Sequence, residues 1–161
     1  MNFAQVPTIF AEHRRVARTL RSERRRHKEA DAATFLLDDI ADDLIERLSF
    51  VQHRPQRALV IGPSTPALTA YLQHSAAVTH SLSLNPAEPL AEGGYDCIAV
   101  IGQLDAINDL PGVLIHLRGA LIPGGLVIAS FVGGQSLPAL RAAMLAAEPD
   151  RPAARIHPLV D

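Results

Sequence analysis

The sequence predicts an α/β fold, a mostly parallel sheet of about four strands wrapped by helices, with two further helices ahead of it. Three observations carry that expectation. Short apolar runs at Ala58 to Ile61, Tyr95 to Ile101 and Leu126 to Phe131 have the length of buried strands and fall short of a helix. The stretches between them carry leucines three and four residues apart, the spacing of a helix with one face on a sheet. Glycines stand at the ends of these runs, at Gly62, Gly102 and Gly124-Gly125, where the chain must turn.

Met1 to Thr8 reads as a lead-in. From Phe10 to about Ala30 the sequence is helix-forming and strongly basic, with Arg14, Arg18, Arg21, Arg25 and Lys28 on one face and Arg15, Arg24 and Arg26 broadening it. Such a face is either solvated or a surface for phosphate or an acidic protein partner. Nucleic acid is disfavoured, because the chain has no tryptophan and few other aromatics to stack bases. A second helix is expected from Asp31 or Ala32 to about Val51. Leu37, Ile40, Leu44 and Leu48 form its buried stripe, widened by Leu36, Ala41 and Ile45. Its other side is acidic, with Asp38, Asp39, Asp42, Asp43 and Glu46, so the two helices are expected to lie near one another and neutralise each other in part.

His53-Arg54-Pro55 links into the first strand. Gly62 turns that strand toward a helix for which Thr65 is the N-cap and Pro66 the first residue. Ala76 to Leu84 reads as a strand, Asn85 to Gly94 as a loop, and Asp109 as the cap of a helix from Leu110 to about Ile122 with Leu114, Leu117 and Leu121 inward. Pro123-Gly124-Gly125 should end that helix before the strand Leu126 to Phe131. Ser136 is read as the cap of a last helix, Leu137 to about Ala147, with Leu140 and Met144 inward. The organisation is therefore a helical segment (1–54), an α/β core (55–148) and a proline-rich tail (149–161).

At 161 residues the length suits one domain with a real core. A net charge of -2 gives no overall pull toward nucleic acid or anionic membrane. A lone cysteine, Cys97, suits a reducing cytoplasm, and no apolar run approaches the ~20 residues that span a bilayer. The seven histidines have no metal-ligand spacing, so no metal site is expected. Cys97 reads as a core residue, Asp96 as structural, and Ser64 lacks the G-x-S-x-G setting of a hydrolase. The absence of G-x-G-x-x-G argues against a dinucleotide-dependent oxidoreductase.

Several of these residues carry a family likeness. The strand, glycine corner and helix at Arg57 to Pro66, the strand opening Tyr95-Asp96, then Asn108-Asp109-Leu110-Pro111-Gly112 and Leu121-Ile122-Pro123-Gly124-Gly125, resemble the class I S-adenosylmethionine-dependent methyltransferases. Phe131-Val132-Gly133-Gly134-Gln135-Ser136-Leu137 and Leu140-Arg141, with Phe35-Leu36 and Asp43-Leu44 upstream, are similar to one branch. That branch holds the malonyl carrier-protein methyltransferase of biotin synthesis and the arginine-hydroxylating assembly factor of respiratory complex I. The resemblance implies a reduced Rossmann-like methyltransferase fold and S-adenosylmethionine as cofactor. Gly62, Pro63 and Ser64 would lie at its methionine end, Asn85 near the ribose, and Gln103, Leu104 and Asp105 beside the adenine and the transferred methyl.

The same comparison exposes departures. Val60 stands where the family has an acidic residue, Ser64 and Pro66 stand where it has further glycines, and the second strand ends Ser83-Leu84-Asn85 without a carboxylate. Too little chain separates Leu84 from Tyr95 for the β-α unit expected there, and Asp105-Ala106 replaces a His-Trp pair. Two more strands are implied beyond the tail, which reads as truncated. Two functions follow: a methyltransferase with a degenerate cofactor corner, or a non-catalytic binding or assembly module that offers Arg14, Arg18, Arg21, Arg25 and Lys28 to an acidic partner. No catalytic residue is assigned. The open edge of so small a sheet offers a route to a homodimer.

Overall fold

A computed structural model describes residues 8–29, 32–81, 83, 90, 93–133 and 136–150. In chain order the elements are α1 (Glu12–Lys28), α2 (Phe35–Phe50), β1 (Arg57–Ile61), α3 (Pro66–Gln73), β2 (Ala77–Ser81), β3 (Tyr95–Ile101), a 3-10 turn (Leu104–Ala106), α4 (Leu110–Ala120), β4 (Leu121–Ser130) and α5 (Pro138–Ala147). The four strands form one parallel sheet in the order β2-β1-β3-β4. This is a mixed α/β, reduced Rossmann-like architecture with two helices ahead of the sheet, as the alternation of apolar runs and leucine stripes requires.

Period two along each strand sends alternate side chains to opposite faces, and both faces are covered. Ala58, Val60, Cys97, Ala99 and Ile101 join Ala41, Leu44 and Leu48 of α2 and Leu68 and Leu72 of α3 in one apolar layer. Leu59, Ile61, Ile98 and Val100 join Leu104, Ile107, Val113, Leu117 and Ala120 in the other, under α4. Burial on both sides explains why β1 and β3 are nearly continuous apolar runs. At the N-terminal edge, Asp96 accepts hydrogen bonds from the Gln56 and Arg57 amides at 2.7 and 3.1 Å, and its carbonyl lies 3.0 Å from His53 Nε2. Asp96 is thus structural, fixing the entry into β1 at the N-terminal ends of the strands.

Several elements differ from the sequence expectation. β4 begins at Leu121, because the Pro123-Gly124-Gly125 segment bulges out of the ladder between the pairs Tyr95/Leu121 and Cys97/Leu126 and does not end a helix. Lying at the sheet edge, the six residues from Leu126 to Phe131 are half-buried or exposed where full burial was expected. Leu36 and Leu114 are exposed, since Leu44 and Leu48 on α2, and Val113 and Leu117 on α4, define the faces that touch the sheet. α5 has no buried residue and Leu140 is exposed, and Ser136 does not cap it: Leu137, left-handed at φ 55°, occupies that position. β2 is shorter than expected, and Leu82 and Leu84 of its proposed end, with Asn85, lie outside the described residues.

Candidate functional site at the edge of β1 and β3

The chain leaves β1, forms β2 on one side of it, and returns to form β3 on the other. That reversal opens a crevice at the C-terminal ends of β1 and β3, where open parallel sheets take their ligands. Gly62 and Gly102 each extend a ladder by one bond, to the carbonyls of Ser81 at 2.8 Å and Ser130 at 2.7 Å, so both loops start at the same height. Beyond Gly62, Thr65 Oγ1 accepts from the Leu68 amide at 3.2 Å with Pro66 opening α3, as expected of an N-cap. Ser64 Oγ lies 3.0 Å from Thr69 Oγ1. Beyond Gly102, Gln103, Leu104 and Asp105 are all buried.

The crevice is crossed by α1. Arg15, the one buried residue of that helix, reaches Gln103 Oε1 through Nη1 at 3.2 Å and donates to Glu12 through Nε at 3.0 Å. One turn further, Arg18 Nη2 stands 3.9 Å from Asp105 Oδ2, and Asp105 Oδ1 is buried without a hydrogen bond among the described residues. The start of the helix is pinned from below. Asn108 Oδ1 accepts from the Ile9 and Phe10 amides, both at 2.8 Å, and its Nδ2 donates to the Phe10 carbonyl at 2.9 Å. Among the described residues the buried polar side chains are Arg15, Thr65, Gln103 and Asp105, and three of these four meet beneath α1.

Gly62 bears directly on cofactor binding. Its φ is +101°, and a Cβ built on it would meet the Ile101 carbonyl oxygen at 2.2 Å and Gln103 Cγ at 3.3 Å. The close backbone approach that demands glycine is therefore made by β3 of this same chain. Among the described residues this edge holds a cleft of about 190 Å³ lined by Arg18, Thr19, Ser22, Arg26, Pro63, Gly102 and Gln103. Pockets for drug- or cofactor-sized ligands start at roughly 300 Å³. Two guanidinium groups would also face a sulfonium ligand. Val60, in the place of an acidic residue, is fully buried in the apolar layer beneath. As arranged, the described residues do not fit S-adenosylmethionine.

The sequence-derived residues Gly62, Pro63, Gln103 and Asp105 are thus gathered at one edge, Leu104 is part of the apolar layer under α4, and Asn85 lies outside the described residues. Sequence reasoning missed Arg15 and Asn108. The available signal was Glu12, three residues before Arg15, and an asparagine immediately preceding the Asp109 cap. The expected neutralisation of α1 by α2 is not formed among the described residues. Ion pairs of α1 stay within Glu12 to Glu29 or reach Asp105, and the pair on α2 is Asp43–Arg47. Cys97 is fully buried, and desolvation, with a smaller contribution from the charge of Asp96, pushes its thiol up to about 11. Among the described residues no group of His, Cys, Asp and Glu is placed to hold a metal, and no helix is long and apolar enough to cross a membrane.

No protein-family model matches the chain. It is 36% identical over 63 residues to the protein named arginine-hydroxylase NDUFAF5, mitochondrial, of Danio rerio. The aligned stretch is 39% of this chain and 20% of that protein, so the chain spans about one fifth of the relative it matches. The similarity supports a relation to the branch that holds the arginine-hydroxylating protein.

Proposed function

We propose that this chain is a methyltransferase-like module of the arginine-hydroxylase branch that binds or assembles with other protein and does not transfer methyl groups. The observation that carries the reading is the occupation of the β1 and β3 edge by α1, with Arg15 on Gln103 and Arg18 beside Asp105. Methyl transfer needs mainly alignment of a bound donor with a nucleophile, so a chain that fills the donor's place with its own helix has lost the one requirement of the reaction. The departures at Val60, Ser64 and Pro66 support the same reading. A buried valine offers no carboxylate, and a proline offers no N–H to a ligand.

Isothermal titration with S-adenosylmethionine tests the proposal. No heat at about millimolar ligand is expected; binding near micromolar, about 8 kcal/mol, would contradict it.

A further inference from the structure

The outward surface of α1 and the outward surface of α2 are opposite in charge, and among the described residues neither is neutralised by the other. Arg15, Arg18, Thr19, Ser22 and Arg26 turn toward the sheet edge, which leaves Arg14, Arg21, Arg24, Arg25 and Lys28 on the exposed side of α1. Of these, Arg25 is paired with Glu29, while Arg14, Arg21, Arg24 and Lys28 have no ion-pair partner among the described residues. On α2 the core side holds Ala41, Leu44 and Leu48, so Asp38, Asp39, Asp42, Asp43 and Glu46 are exposed. Arg47 holds the Asp43 carboxyl below its usual range by a side-chain hydrogen bond; Asp38, Asp39 and Asp42 have no such partner among the described residues.

We infer that these two faces form the interface between two copies of this chain, the basic face of α1 in one lying on the acidic face of α2 in the other. At 1.5 Å per residue the basic row from Arg14 to Lys28 runs about 21 Å and the acidic row from Asp38 to Glu46 about 12 Å, so one helix face can cover the other. A two-fold axis makes the contact twice, because each chain contributes one basic and one acidic face. Single exposed ion pairs contribute little; two opposed rows act together, steer the encounter and fix its register. Among the described residues of one chain no ion pair joins the two faces, so a second copy supplies the complement of each. This interface is independent of whether the sheet edge binds a cofactor.

Sedimentation equilibrium of the whole chain tests the inference. A dimer is expected at about 0.05 M NaCl, weakened about tenfold or more at about 0.5 M, since added salt shortens the reach of exposed charges. The variant carrying Arg21→Glu, Arg24→Glu and Lys28→Glu, and the variant carrying Asp38→Lys, Asp39→Lys and Asp42→Lys, are each expected to be monomeric alone and to form a heterodimer when mixed. Reformation on mixing separates a lost interface from a lost fold. A wild-type monomer at low salt, a dimer indifferent to salt and to both charge reversals, as pairing through the β4 edge would give, or failure of the folded variants to recombine overturns the inference.

Discussion

The Cα of Gly62 lies against the backbone of β3, so adding one methyl group creates a 2.2 Å contact with the Ile101 carbonyl at a φ of +101°. Gly62→Ala is accordingly expected to lower unfolding free energy by about 3 kcal/mol through strain and overpacking, read from urea denaturation. Asp109 shows the same mutual fit on a smaller scale. Its Oδ1 accepts from the Gly112 amide at 2.9 Å, and a Cβ at Gly112 would sit 2.3 Å from that carboxylate. Loss of the cap in Asp109→Ala should cost about 1 kcal/mol, measured the same way. Cys97 makes stability depend on pH. Its thiol ionises around its ordinary value of 9.0 in the unfolded chain and at about 11 in the folded one. This group therefore leaves stability unaffected below pH 9 and lowers it between 9 and 11 by about 1.4 kcal/mol per pH unit, a contribution that Cys97→Ala should remove from the pH dependence. Thr65, Asp109 and Cys97 were legible in the sequence because capping and strand burial depend on immediate neighbours. Arg15 was not, because its local signal, a glutamate three residues earlier, is shared by Arg26, and its partner Gln103 is 88 residues away.

At the scale of elements, α1 is held differently from α2, α3 and α4, which pack on the sheet. Among the described residues it contributes nothing to either apolar layer, and its attachments include the Asn108 clamp, the Arg15–Gln103 bond and the Arg18–Asp105 pair. Polar attachments of this kind are individually worth about 1 kcal/mol, so the helix can open without unfolding the sheet. Replacing Asn108 by Ala removes three hydrogen bonds and is expected to speed amide exchange over residues 12–28 by roughly tenfold to a hundredfold while β1 and β3 stay protected. Equal acceleration in the strands would show that α1 is integral to the core. The leucine stripe of α2 predicted its burial well, since Leu44 and Leu48 fall at the centre of the contact. Turn chemistry at the start of β4 and at α5 was read less well. Pro123-Gly124-Gly125 forms a bulge where the same residues would serve as a helix stop, and Leu137 takes a conformation seldom adopted outside glycine and asparagine.

For the molecule as a whole, the parallel sheet of about four strands was recoverable, because buried runs joined by helices leave few alternatives to parallel pairing; the order of the strands was not. The relation of α1 to that sheet was not recoverable, because a basic amphipathic pattern says which side chains share a face and leaves open what the face meets. The proposed function rests on that difference. A methyltransferase-like sheet with an open crevice would favour an enzyme; Arg15 and Arg18 laid over Gln103 and Asp105 favour the proposed binding module. The most direct measurement is a two-dimensional amide spectrum of the labelled chain, recorded with and without about two millimolar S-adenosylmethionine, roughly a thousandfold above the Kd of a micromolar site. If the crevice is closed as described, the signals of Gly62, Gly102, Gln103 and Asp105 remain where they are. Saturable movement of those four signals, with those of α1 following, would contradict it.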